Sequence, residues 1–144
     1  MKLKLDNEML AEMFFEDVHL LGIMASVKSY QFVWQINRQM GYSFSLNNDL
    51  EIERRNKSRS FFFSIYEYQI PQTSVCYYIY HNQNDGEFLL PELKNLDFLW
   101  MIKGEDISMK DIQSLQQNIK ALPNVLLVNE VSSDKIKNKQ HLIF

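Results

Sequence analysis

With 144 residues, 46% of them hydrophobic, the chain is long and apolar enough to fold as one domain, 1–144, around its own core. Its 15 basic and 18 acidic side chains leave a net charge of -3, which argues against a general nucleic-acid coat protein. No run of about 18 apolar residues exists to cross a membrane, and Lys4, Asp6 and Glu8 interrupt the first ten residues before a signal-peptide core can form. A cytoplasmic protein is expected. The single cysteine, Cys76, excludes an internal disulfide, and its neighbours Val75, Tyr77 and Tyr78 mark it as a buried thiol rather than a nucleophile.

In chain order, Leu3 and Leu5 alternate with lysines as in a short strand. Met9, Leu10, Met13 and Phe14 then recur at helical spacing behind a candidate Asp6 cap. Val18 to Ala25 reads as a strand. Over Lys28 to Met40, Phe32, Val33, Ile36 and Met40 form one apolar stripe, with Ser26 or Ser29 as cap and Gly41 as the stop, which predicts a helix. Tyr42 to Leu46 alternates like a strand, Asn47 and Asn48 make a turn, and Arg54 to Arg59 reads as a basic loop. Two longer strands follow, Ser60 to Ile70 and Val75 to His81, joined across Pro71 to Ser74 as a hairpin. Beyond a polar turn at Asn82 to Gly86, the run Phe98 to Ile102 is apolar at every position, as in a strand covered on both faces at the centre of a sheet. Ser108 and Asp111 form a variant capping box for a second helix with Ile112, Leu115, Ile119 and Leu122 on its inner face, ended by Pro123. Val125 to Val128 is a further strand. Lys135 to Lys139 reads as a solvated tail that Leu142, Ile143 and Phe144 anchor at its end.

The stretch Leu89 to Gly104 organises the chain. Pro91 suits the first position of a short helical turn, and Glu92 complements its positive end. Pro91-Glu92, three residues, then Leu96-Asp97-Phe98 resembles the I-P-E-x-x-x-V-D-Y signature of the bacterial IPExxxVDY family, with apolar residues exchanged for apolar at Leu90, Leu96 and Phe98. The resemblance extends through Leu21-Gly22-Ile23, Tyr30, Trp34, Asn37, Asp49-Leu50-Glu51 and Asn138 to Phe144. It implies a single small domain and supplies no catalytic residue.

Three motifs invite chemistry. His81 to Glu92 aligns with the calcium-loop pattern at Asp85, Gly86, Phe88 and Glu92, but His81 and Gln83 stand where hard oxygens are required. Arg59 to Tyr66 matches an RNA-recognition strand in its basic residue and in Phe61, Phe63 and Tyr66, which would stack on bases while Arg54 to Arg59 held phosphates. Phe62 stands where that pattern wants a small residue. Glu92 and Asp97 would serve as an acid and base pair if the fold set them about 5 to 9 Å apart; the structural alternative has Glu92 complementing a helical turn and Asp97 bonding backbone groups. No histidine pair has metal-ligand spacing, and the four glycines are too dispersed to cradle phosphate, so no cofactor or metal is expected.

The elements together predict an α+β domain: a mainly antiparallel sheet of about five or six strands, in the order β-α-β-β-β-β-α-β, with two principal helices packed on one face. Two helices cover one face, and the aromatic strands leave neither face polar. Phe62, Tyr66, Tyr68 and Tyr78 are therefore the candidate contacts of a non-catalytic module that self-associates as a homodimer or binds another protein. The competing arrangement folds the N-terminal segment or Leu142 to Phe144 over that face. An RNA-binding domain and an enzyme using Glu92 and Asp97 are the alternatives in function.

Overall fold

The computed structural model describes the backbone of residues 2–144 and the side chains of residues 8–144. In chain order the elements are α1 (Lys2–Phe14), β1 (Val18–Ala25), α2 (Ser29–Met40), β2 (Ser45–Leu46), β3 (Ile52–Asn56), β4 (Arg59–Phe63), β5 (Ile65–Gln69), β6 (Cys76–His81), β7 (Gln83–Asn84), β8 (Glu87–Phe88), β9 (Phe98–Lys103), α3 (Met109–Lys120) and β10 (Val125–Val131). Short 3-10 turns at Asn48–Leu50, Pro91–Leu93, Ser133–Lys135 and Lys139–Leu142 punctuate them.

One six-stranded antiparallel sheet, ordered β10-β1-β9-β6-β5-β2, forms the centre of an α+β fold. Its six strands and two principal helices follow the predicted chain order. The strand β9, Phe98–Lys103, lies between β1 and β6, and the five side chains of its apolar run are all buried. Each large apolar side chain removed from water in this way contributes about 1.5–3 kcal/mol, so β9 ties the two faces together. Gly22 on β1 makes room for the motif: a Cβ there would come within 2.5 Å of Leu96 Cδ1.

Both principal helices lie on one face. Phe32, Val33 and Ile36 of α2 and Ile112, Leu115 and Ile119 of α3 join Leu21, Ile23, Phe98 and Trp100 in a single buried cluster. The α2 stripe ends at Gly41, whose φ of 69° places it in the left-handed conformation that closes a helix. For α3 the Ser108 Oγ accepts the Asp111 N–H at 3.1 Å, as the capping pattern requires. At α2, Lys28 occupies the cap position with no side-chain bond, so neither Ser26 nor Ser29 acts there.

The opposite sheet face holds a second core of Leu20, Phe61, Phe63, Ile65, Tyr80, Leu99, Met101 and their neighbours. This face is not bare. The stretch read as one strand from Ser60 to Ile70 breaks at Ser64: β5 stays in the main sheet, and β4 pairs with β3 in a separate hairpin that folds across the second face. The supposed basic loop is that hairpin, turning at Lys57 and Ser58 with φ of 51° and 69°, the paired positive values of a tight two-residue connection. Leu89, Leu90, Leu96, Ile136 and Leu142 complete the cover.

Other departures are local. The N-terminal segment is helical from Lys2, which makes Asp6 an interior helical residue rather than a cap and removes the short strand expected at Leu3 and Leu5. Met9, Leu10 and Met13 are exposed, whereas Phe14 and Phe15 pack against the second core. Tyr42 to Leu46 contributes only the two-residue β2. The lysine-rich tail is docked, because Ile136 and Leu142 alternate with its charged residues and are both buried.

Candidate functional site

The segment His81 to Glu92 forms a strand end, a small β7–β8 hairpin and a 3-10 turn, so the helix that must lead into a calcium loop is replaced by β6. What holds it is Asn82, the one fully buried polar side chain among the described residues. Its Nδ2 donates to Leu93 O at 2.9 Å and to Leu96 O at 3.0 Å, and its Oδ1 accepts from Leu90 N at 2.8 Å. Its backbone N–H donates to Asp97 O and its carbonyl accepts from Leu89 N. A short polar side chain thus fastens both ends of the Pro91–Leu93 turn to the end of β6.

Glu92 and Asp97 are engaged separately. Asp97 Oδ2 accepts the Ala25 N–H at 2.9 Å where β1 ends. Glu92 takes two bonds from Asn138, from its backbone N at 2.7 Å and its Nδ2 at 3.0 Å. Burial alone would raise the Glu92 carboxyl, but the donors of Asn138 and its own N–H outweigh it and leave the pKa below its ordinary value. Both carboxylates work as acceptors for backbone N–H groups. Asn37, a third motif position, does likewise: it donates to Phe44 O at 3.0 Å and accepts from Phe44 N at 2.8 Å, fixing the chain that leaves α2.

Glu92 starts a row of tethers for the C-terminal segment. Tyr80, buried on β6, donates its hydroxyl to Leu142 O at 2.7 Å, and His141 Nδ1 lies 2.8 Å from Leu89 O. The carbonyl can only accept, so Nδ1 carries a hydrogen. Burial is the main cause lowering the pKa of both His141 and His81 from 6.5; at His81 nearby Asp97 opposes the shift without cancelling it. The unfolded chain therefore binds more protons than the folded one just below that value. Stability from these two residues is complete above about pH 6.5 and is lost as pH falls through their lowered folded values. The melting temperature should be flat from about pH 8 to 7 and decline below about 6.5. A His141→Asn variant, which keeps a donor for Leu89 O without titrating, should decline less steeply. A melting temperature that rises from pH 7 to 5.5 would contradict this linkage.

The candidate interface aromatics do not share one surface. Tyr66 and Tyr68 face the helix side, where Tyr68 stacks on Tyr42 at 5.0 Å, whereas Tyr78 lies on the opposite face against Phe144 at 4.7 Å. Phe62 is exposed, but on the outer side of the β3–β4 hairpin opposite Glu53. Phe61 and Phe63, the rings an RNA-stacking strand would present, are buried, and Arg59 pairs with Asp85 at 2.6 Å while lying over Phe61. The two most exposed aromatics are on α2 instead. Tyr30 is 61% exposed and Trp34 59%, and Arg38 places its guanidinium 5.1 Å from the Trp34 ring. Spaced by four, the three residues run along the side of α2 away from Phe32, Val33 and Ile36.

The helix side also opens into a cleft of about 310 Å³ between α3 and the β5–β6 connection. Tyr42, Tyr77, Val75, Ile102, Ile112 and Leu115 supply its apolar lining, and Thr73, Asp106, Asp111, Ser114 and Asn118 its polar one. Burial raises the pKa of both tyrosines, so their hydroxyls stay neutral through the physiological range. Elsewhere, Cys76 is buried and its thiol is also pushed up by burial, which suits an inert side chain.

Asn82 and the tail tethers were not legible as such in the sequence. A lone Asn at a strand end reads as turn chemistry, and nothing local marks it as the partner of groups eight to fourteen residues on. Among the described residues, no group of three or more His, Cys, Asp or Glu could hold a metal, and no helix is long and apolar enough to cross a membrane. Comparison of the chain with protein-family models, curated proteins and solved structures finds no match, so the resemblance to the IPExxxVDY family rests on the motif residues alone.

Proposed function

We propose that the chain is a non-catalytic interaction module that pairs with a second copy of itself through the outer side of α2. The observation that carries this reading is the exposed Tyr30–Trp34–Arg38 stripe. Tryptophan is normally well buried, and Trp, Tyr and Arg are the residue types that dominate binding energy at interfaces. The stripe is also self-complementary. Tyr30 and Arg38 lie equally far from Trp34, about 6 Å to either side along the helix axis. An antiparallel pair of α2 helices crossing at Trp34 would therefore set each Arg38 against the partner's tyrosine ring, a cation–π contact in both directions.

Glu92 and Asp97 support a non-catalytic reading, because each is spent on backbone donors that hold the fold. The motif shared with the IPExxxVDY family then has a structural role: it seats the turn that covers the second core.

One twelve-residue helix presents less area than a permanent dimer uses, so the association is weak, with a Kd of about 10–100 μM. Sedimentation across that range should show the mass rising from 17.2 kDa toward twice that value. Trp34→Ala should remain monomeric with an unchanged melting temperature, since the side chain lies outside the core. A wild-type mass of 17.2 kDa at every concentration would reject self-pairing.

A further inference from the structure

The geometry points to a second binding site: we infer that the cleft between α3 and the β5–β6 connection binds a compact organic ammonium cation. Its residues supply both halves of such a site. Tyr42 and Tyr77 meet edge to face, 5.8 Å apart with their rings inclined at 61°, and with one face of Tyr42 stacked on Tyr68 the two rings line one end of the cleft. Both are only half-buried and line the opening, so ring surface remains for a ligand. Aromatic faces attract a cation through the negative side of their quadrupole, and alkyl groups on the nitrogen would pack on Ile102 and Leu115.

The charges agree. Asp106 and Asp111 line the cleft, and no Lys, Arg or His does. Among the described residues neither carboxylate has an ion-pair partner; the two ion pairs there are His19–Glu130 and Arg59–Asp85, elsewhere on the molecule. Asp111 lies in the first turn of α3. A negative rim over aromatic walls repels an anion and gives a neutral apolar ligand no use for the carboxylates. The volume lies at the lower end of the range for ligand sites, enough for one headgroup with a short tail.

The test titrates the whole chain with choline and with 3,3-dimethylbutan-1-ol, its uncharged counterpart of the same shape, following backbone amide shifts. Choline should give saturable shifts at Tyr77, Ile107 and Asp111 with a Kd of about 1 mM, and the alcohol should bind about tenfold more weakly. The double variant Asp106→Asn, Asp111→Asn should lose most of that preference. It keeps the fold, because both side chains are exposed and the Ser108 cap bonds the Asp111 backbone. Equal affinity for the alcohol, undiminished choline binding by the double variant, or no saturable shift up to about 50 mM overturns the assignment.

Discussion

Asn82→Ala is expected to lower the melting temperature by about 15 °C or more, the largest effect of any single polar substitution in this chain. The side chain is fully buried and makes three hydrogen bonds, all to the backbone of the Leu89 to Asp97 stretch. Alanine would leave the Leu90 N–H and the Leu93 and Leu96 carbonyls without partners, at about 1–3 kcal/mol for each group that water cannot reach. With two of the three bonds buried and one partly so, the sum is about 4–6 kcal/mol, a large share of the 5–15 kcal/mol typical of a domain. Asn82→Asp should do no better, because it keeps the acceptor for Leu90 N but turns a charged oxygen toward two carbonyls. Thermal melts by circular dichroism decide the matter. A loss of only a few degrees for Asn82→Ala would mean that the turn is held by its apolar contacts instead.

Leu142→Ala should cost about 3 kcal/mol in urea unfolding, despite the position of Leu142 near the C-terminal end of the sequence. Leu142 is fully buried in the second core, and its carbonyl accepts the buried Tyr80 hydroxyl. Phe144→Ala, at a residue 38% exposed, should cost less than about 1 kcal/mol. The side chain and carbonyl of Leu142 belong to one docked segment, so Leu142→Ala and Tyr80→Phe should combine non-additively. Once the first change loosens the segment, the second has less left to remove. Additivity within about 0.5 kcal/mol would show that the tail does not dock as a unit.

What could be foreseen from the residues follows from how local the signal is. The stripe of α2 and its Gly41 stop, the cap and stripe of α3 and the unbroken apolar run of β9 are each written within a dozen residues, and each is found in place. Six strands with both helices on one face follow from them. The break at Ser64 was hidden because Phe61, Phe63 and Ile65 keep the same alternation on both sides of it. The period of a strand shows which side chains point inward, not which partner strand they belong to. The N-terminal helix was ambiguous because Lys and Leu alternate in a stretch too short to separate the two periods. Of the candidate residues, Asp97 bonds backbone as its structural reading proposed, whereas Glu92, assigned to its own turn, also reaches Asn138. The exposure of Tyr30 and Trp34 follows from the same helical stripe, because they lie on the side of α2 away from Phe32, Val33 and Ile36.

The position of β1 has a consequence for how the molecule comes together. Its two neighbours are β9 and β10, so Ile23 must meet Phe98 and Leu20 must meet Val131 before the first strand has any edge to pair with. Closing such long loops costs chain entropy before any contact repays it, and domains dominated by distant pairings reach the native state in about milliseconds to seconds rather than microseconds. The β5–β6 hairpin, by contrast, closes over a short connection and can form early. Refolding should therefore begin in the middle of the chain and finish when β1 slides between its two late partners, so substitutions on β1 should act mainly on the unfolding rate and those in the hairpin on the folding rate.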